Sequence, residues 1–245
     1  MRSFRYYDFL VAGMVAVLLC SNLIGPGKAC AITLPVLGLV SFGAGNLFFP
    51  VSYIFDDVMT EVYGYARARR AIWAGFGAMA FATFMAYTIV NIPADPKEPW
   101  NAQLQPALET VFGNTWRIAA ASMLAYWIGD FSNSYVLARM KVMTKGRWLW
   151  TRTIGSTIVG EGLDSLVFYP LAFYGLWTNE TLAKVILFNY SLKVLVEVLF
   201  TPFTYAIVGW LKRAEGVDTF DEKTAFNPFS LKDEGERRTR SESAP

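Results

Sequence analysis

The 245-residue sequence is 54% hydrophobic and 16% aromatic, too apolar for an ordinary soluble domain, and it repeats runs close to the about 20 residues that cross a bilayer core. Its net charge of +2 comes from Lys and Arg gathered at the ends of apolar runs rather than along a stripe, which excludes a nucleic-acid-binding surface. Histidine is absent, excluding His-based metal sites and His general bases, and Cys20 and Cys30 are too few for a disulfide framework. The class expected is an all-α polytopic membrane protein.

In chain order, Arg2 and Arg5 precede a first apolar helix at 8–24. Asn22, Pro26 and Lys28 follow without a small-x-small cleavage pattern, so a retained transmembrane helix fits better than a signal peptide. It stops at Gly25-Pro26-Gly27. Residues 31–46 are apolar but broken by Pro35, Gly38, Gly43 and Gly45, a pattern for a short hairpin or re-entrant segment at the outer face. The second helix, 48–64, starts with Pro50 in its first turn and carries Asp56, Asp57 and Glu61. Asp57 and Glu61 share a face one turn apart. Asp56 is off that face, and Glu61 lies near enough to Arg67, Arg69 and Arg70 to be a solvated anchor.

The third helix, 71–92, offers Gly75, Gly77, Ala78, Ala80 and Ala82 for close packing and reads as scaffold. Four prolines (Pro93, Pro96, Pro99, Pro106) mark 93–114 as an external loop. The fourth helix, 115–140, aligns Tyr126, Asp130 and Asn133, and a basic cluster follows (Arg139, Lys141, Lys145, Arg147, Arg152). The fifth, 150–176, aligns Thr153, Thr157, Glu161, Asp164 and Phe168, with Pro170 placed to kink it. The sixth, 181–211, carries Asn189, Lys193 and Glu197 at successive i+4 steps, then Pro202. The domain boundary falls at 213: residues 1–213 form the membrane domain, and 214–245 are expected to be a solvated, disordered cytoplasmic tail.

Arg2, Arg5, Arg67, Arg69, Arg70, the cluster from Arg139 to Arg152, and Lys212-Arg213 fall on one side of this arrangement. Only Lys28, Lys97, Arg117 and Lys184 fall on the other. The positive-inside rule then gives six crossings with both termini cytoplasmic. A charge at the centre of a membrane helix costs roughly 2.5–3.5 kcal/mol on insertion scales. Asp56, Asp57, Glu61, Asp130, Glu161, Asp164 and Glu197 all fall in predicted spans, with Lys193 the one basic residue mid-run. A shared polar cavity lined by helices two, four, five and six accounts for them. Lys193 reads either as a structural ion-pair partner or as a group that orients a carboxylate or contacts a ligand. Phe49, Tyr53, Tyr126 and Phe168 share faces with the polar residues and are stacking candidates, whereas Trp148, Trp150, Trp177 and Trp210 suit an interfacial belt. No Gly-rich phosphate loop or metal-ligand spacing is present, so the chain cannot power transport with ATP by itself.

The segments Phe48-Phe49-Pro50-Val51-Ser52-Tyr53-Ile54, Asp57-Val58-Met59-Thr60-Glu61-Val62-Tyr63-Gly64 and Ala68-Arg69-Arg70 resemble the signature of the queuosine precursor transporter family, also called vitamin-uptake-transporter-like. So do Ala121-Ser122-Met123-Leu124-Ala125-Tyr126, Arg152-Thr153-Ile154-Gly155-Ser156-Thr157 and Glu161-Gly162-Leu163-Asp164-Ser165-Leu166-Val167-Phe168. The resemblance covers about 21–202 in order. It implies a six-helix inner-membrane carrier, not an enzyme, that imports 7-cyano- or 7-aminomethyl-7-deazaguanine for tRNA modification, without a cofactor. A carboxylate can accept from the ring N–H and exocyclic amine of such a base while aromatic rings sandwich it. Glu161 or Asp164 is the expected reader of that edge, with Asn22, Ser156 and Lys193 for the carbonyl side. Asp57 or Asp130 is the expected proton carrier or cation partner. A homodimer is expected. The alternatives are a substrate-binding subunit that needs a separate energising module and, from another class, an intramembrane enzyme using paired carboxylates.

Overall fold

A computed structural model of the chain describes residues 4–23, 29–34, 38–113 and 116–230. The expected stop at Gly25-Pro26-Gly27, the break at Pro35, the start of the fourth helix at Thr115 and the last fifteen residues lie outside the described residues. Helix α1 (Tyr7–Leu23) leads to strands β1 (Ala29–Leu34) and β2 (Gly38–Gly43), which pair antiparallel from Ala29↔Gly43 to Leu34↔Gly38. A 3-10 turn at Ala44–Leu47 then feeds α2 (Phe49–Tyr63), with Pro50 in its first turn, where a missing N–H breaks no helical bond.

Helix α2 ends at Gly64, whose φ of +86° suits a residue without Cβ, and α3 (Tyr65–Asn91) begins at once. The proline-rich stretch expected to be loop contains a short exposed helix, α4 (Asn101–Leu108), which runs into a π-type turn at Glu109–Gly113. Three long helices complete the bundle: α5 (Trp116–Met143), α6 (Leu149–Phe173) and α7 (Asn179–Glu215). By length and composition, α3 and α7 are the two described helices able to cross a membrane.

The distribution of polarity is inverted relative to a water-soluble bundle. Phe81, Phe84 and Tyr87 on α3 and Leu187, Leu195, Leu199 and Phe203 on α7 are exposed, while Asp56, Asp57, Asp130, Glu161 and Glu197 are fully buried. The polar interior is drawn together where α5 and α6 cross at Gly129 and Gly160. A Cβ on Gly160 would come within 2.8 Å of Asn133 Cβ and 3.0 Å of the Gly129 carbonyl oxygen. One on Gly129 would meet the Tyr53 hydroxyl at 2.5 Å and Asp164 Cβ at 3.0 Å. The two glycines thus let α5 and α6 approach closely and let Tyr53 of α2 enter at their crossing.

Within the stretch expected to be a solvated tail from residue 214, residues 217–230 make contacts with the bundle. Asp221 accepts from the Tyr65 backbone N–H (3.2 and 3.1 Å), at the N-terminus of α3 where that donor lacks a helical partner. Arg69 donates to the carbonyls of Ala225 (2.9 Å) and Asn227 (2.7 Å), and the Trp73 indole to that of Pro228 (2.8 Å). Phe226 packs against Tyr65 and Tyr135, and Phe229 against Trp73 and Trp127. A few aromatic anchors and side chains that bind the segment's own carbonyls hold it, despite its charge.

Gly160→Ala is expected to lower the unfolding free energy by about 1–3 kcal/mol through overpacking at the α5–α6 crossing. Gly77→Ala, where a Cβ would meet nothing within 4 Å, is expected to cause no loss. Thermal melts of the two detergent-solubilised variants check the contrast.

Candidate functional site

Facing sides of α2, α5, α6 and α7 hold the buried charges. On α2 and α5, Asn133 bridges two carboxylates, its amide donating to Asp57 Oδ1 (2.6 Å) and to Asp56 Oδ2 (3.3 Å). Ser134 donates to Asp56 Oδ2 (2.7 Å) and shares a hydrogen bond with Thr60 (2.9 Å). Ser156 of α6 donates to the Thr153 carbonyl (2.9 Å) and reaches Asp57 Oδ1 at 3.5 Å. Glu197 of α7 lies near enough to Asp57 to act on it electrostatically.

A turn further along α6, the Lys193 ammonium sits between Glu161 Oε2 and Asp164 Oδ2, 2.6 Å from each, and 4.5 Å above the centroid of the Phe49 ring. Glu161 and Asp164, three residues apart on α6, share a face and converge on this one cation. Tyr53, wedged between Gly129 and Gly160, lies in the field of Glu161, Asp164, Asp130 and Asp56. The arrangement is a flat aromatic face beside two carboxylates, with an ammonium joining them.

Several buried polar atoms in this group have no hydrogen-bond partner among the described residues. They are Tyr53 Oη, Asp56 Oδ1, Asp57 Oδ2, Asn133 Oδ1, Thr157 Oγ1, Glu161 Oε1, Ser165 Oγ and both carboxylate oxygens of Glu197. Each unpaired buried group costs about 1–3 kcal/mol. Such a concentration at one place marks where protons, water or a polar ligand complete the structure. No grouping of three or more acidic or cysteine side chains fit to hold a metal ion occurs among the described residues.

A second ionic cluster ties the other end of the same helices. Glu61, fully buried, receives a two-pronged hydrogen bond from Arg152 (Nε to Oε2 2.7 Å, a terminal guanidinium nitrogen to Oε1 2.8 Å) and one from Lys212 (2.5 Å). Lys141 donates to the Glu61 carbonyl oxygen and lies 3.4 Å from its carboxylate. It also bonds Asp218, as does Lys212 at 2.9 Å. Burial alone would push the Asp218 carboxyl up, yet the hydrogen bonds from Lys141 and Lys212 outweigh it and hold the group below its ordinary value. A depressed carboxylate keeps its contribution to stability above its unfolded value and loses it only as pH falls through the folded one, so this pairing is complete at neutral pH.

The residues singled out from the sequence are distributed as follows. Phe49, Tyr53, Asp57, Ser156, Glu161, Asp164 and Lys193 come together in the central group around Asp57 and Lys193. Asp130 is buried beside Tyr126, whose hydroxyl donates to the Ile72 carbonyl (3.3 Å) in a space left by Gly75. Asn22 lies apart: it donates to Leu18 O (2.9 Å) and accepts from Ser122 (2.7 Å), joining α1 to α5. Phe168 packs in a separate aromatic set with Tyr169 and Phe173. Glu61 is no solvated anchor but the centre of the second cluster, and Asp56 pairs across to α5 rather than locally.

Asn133, Ser134, Lys141 and Arg152 are the contributors that the sequence reading left out of the site. Continuing the Tyr126, Asp130, Asn133 stripe by one and two further turns leads to Leu137 and Lys141, both fully buried. That phase is the signal that separates Lys141 from the exposed bases around it.

The chain matches the family model described as "Putative vitamin uptake transporter" over residues 43–207. A Bacillus subtilis protein named "Probable queuosine precursor transporter" is 31% identical over 189 residues, covering 75% of this chain and 80% of that protein. An Escherichia coli protein named "Queuosine precursor transporter" is 28% identical over 167 residues, covering 67% of this chain and 71% of its own length. No solved structure matches the chain significantly. The matched region contains every carboxylate of the central group, and with more than half its length matched the chain belongs to the vitamin uptake transporter family.

Proposed function

We propose that this protein carries a queuosine precursor, 7-cyano- or 7-aminomethyl-7-deazaguanine, across the bacterial inner membrane. The observation that carries this reading is the set of Glu161, Asp164, Lys193 and Phe49: two carboxylates and an ammonium around one aromatic face. The guanine-like edge of a deazaguanine presents adjacent N–H donors that one carboxylate accepts together, and its plane stacks on a ring. Family membership and the names of the Bacillus and Escherichia relatives support the same substrate class.

In this reading the chain crosses the membrane six times, by α1, α2, α3, α5, α6 and α7, with both termini cytoplasmic and with the β1–β2 pair on the outer side. The exposed apolar faces of α3 and α7 meet lipid. A homodimer is the expected assembly. Asp57, shared between Asn133 and Ser156 and facing Glu197, is the residue through which a proton would be coupled to import.

The purified protein is expected to bind both deazaguanines in preference to guanine in isothermal titration. Equal affinity for guanine would sink the substrate assignment. Asp164→Asn removes a charge-assisted acceptor and is expected to weaken deazaguanine binding about 10- to 100-fold, following the roughly 1.5–3 kcal/mol of hydrogen bonds to charged groups. Leu166→Ala, on the exposed face of α6, is expected to bind normally. Uptake into liposomes by the protein alone separates a self-sufficient carrier from a subunit that needs an energising partner. Asp57→Asn is expected to flatten the pH dependence of that uptake, and an unchanged pH profile excludes coupling through Asp57.

A further inference from the structure

We propose that residues 217–230 are a detachable latch that holds the Glu61 end of the bundle shut. The inference rests on the transporter reading, because a closure at one end has meaning only where a solute must leave. Its physical basis is independent of which solute that is.

The first observation is a charge imbalance. Arg152, Lys141 and Lys212 bring three cations from α6, α5 and α7 to the end of α2. Glu61 is one acceptor, fully buried; the other acid in the cluster, among the described residues, is Asp218 of the strap. With the strap in place, three cations face two carboxylates. Without it, three cations converge on Glu61 alone, and the ends of α5, α6 and α7 repel one another. Close packing of these helix ends therefore depends on a residue that belongs to none of them.

The second observation is position. Glu61 lies one turn from Asp57 on α2, and Arg152 one turn from Ser156 on α6, so the cluster sits about one helical pitch, 5.4 Å, below the central group. The strap crosses here: the Thr219 carbonyl accepts from Lys141 (2.8 Å), and its N–H donates to the Val62 carbonyl (3.3 Å). Thr219 Cγ2 lies 2.6 Å from where a Cβ of Gly64 would be, against the break between α2 and α3. The strap is thus seated on the joint where those two helices can change angle.

The third observation is the kind of attachment. Beyond Thr219 the strap is held by Asp221 on the Tyr65 N–H, by Arg69 and Trp73 on its carbonyls, and by Phe226 and Phe229 against aromatic rings of α3 and α5. These contacts peel apart without breaking any helix. Asp218 itself is 45% exposed, in contrast to Glu61. The strap also lies beyond the region that the family model matches, while its partners Tyr65, Arg69, Trp73 and Lys141 lie within it and Lys212 beyond it.

The test uses the full-length chain with Cys20 and Cys30 replaced by Ser and a reporter, Thr153→Cys, placed between the cluster and the central group; Thr153 is fully buried. A membrane-impermeant maleimide is applied to either face of sealed vesicles, and Lys145→Cys, exposed in the α5–α6 turn, identifies the strap face. Asp218→Lys is expected to raise the labelling rate of the reporter at least tenfold from the strap face alone. Asp218→Asn, which keeps the shape and removes only the charge, is expected to give a smaller rise from the same face. An unchanged rate in both variants overturns the latch, and so does a rise from both faces alike, which signals a loosened fold. No ligand enters this measurement, so a protein that fails to bind deazaguanines can still pass it, and one that binds them can still fail it.

Discussion

The interior of this bundle contains more acid than base, and the rest of the structure follows from offsetting that. A buried charge that loses its partner destabilises by about 3–5 kcal/mol, and burial of an isolated one is prohibitive. The chain meets this with two different arrangements at two levels. At the Glu61 level, cations outnumber carboxylates and each oxygen of Glu61 has a donor. At the Lys193 level, one ammonium serves two carboxylates, and Asp56, Asp57 and Glu197 rely on neutral amide and hydroxyl donors or on none. The first arrangement leaves neither oxygen of Glu61 unpaired. The second is incomplete, which is what a site that exchanges protons or ligands requires.

Backbone geometry makes this possible. Gly129 and Gly160 bring α5 and α6 close enough that Asn133, Asp164 and Tyr53 meet at one crossing. A larger residue at either position would part the helices and separate the acids of α6 from those of α2. Helix α7 then closes the group with a single stripe in which Asn189, Lys193, Glu197, Thr201 and Thr204 are all buried, while the opposite face exposes Leu187, Leu195, Leu199 and Phe203. One helix is thus polar toward the site and apolar toward its surroundings, as a wall between a ligand and lipid must be.

Much of the central group was legible in the sequence, because a charged residue inside an apolar run stands out and helical spacing assigns it a face. Glu161, Asp164 and Lys193 were found in that way. Lys141 and Arg152 were not, since they fall in a basic cluster that positive-inside logic explains without remainder, and for Lys141 only the phase of the Tyr126–Asn133 stripe marks it off from Lys145 and Arg147. Asn22 and Phe168 had the right residue type at a plausible position, but Ser122 and the Phe173 ring engage them elsewhere. The strap was hidden for another reason. Much of its anchorage is through its own backbone carbonyls, held by Arg69 and Trp73, and composition contains no signal of where carbonyls go.

The shortness of α2 has its own consequence. Fifteen residues make a helix about 22 Å long, less than the roughly 30 Å of a bilayer's hydrocarbon core. At its Phe49 end a 3-10 turn and the β1–β2 pair precede the helix. In the six-crossing reading, non-helical backbone inside that core has to be shielded by neighbouring protein or wetted. In that reading a short wall on one side would bring the Phe49 ring nearer the membrane surface and leave peptide groups of the preceding turn as a solute's first polar contacts.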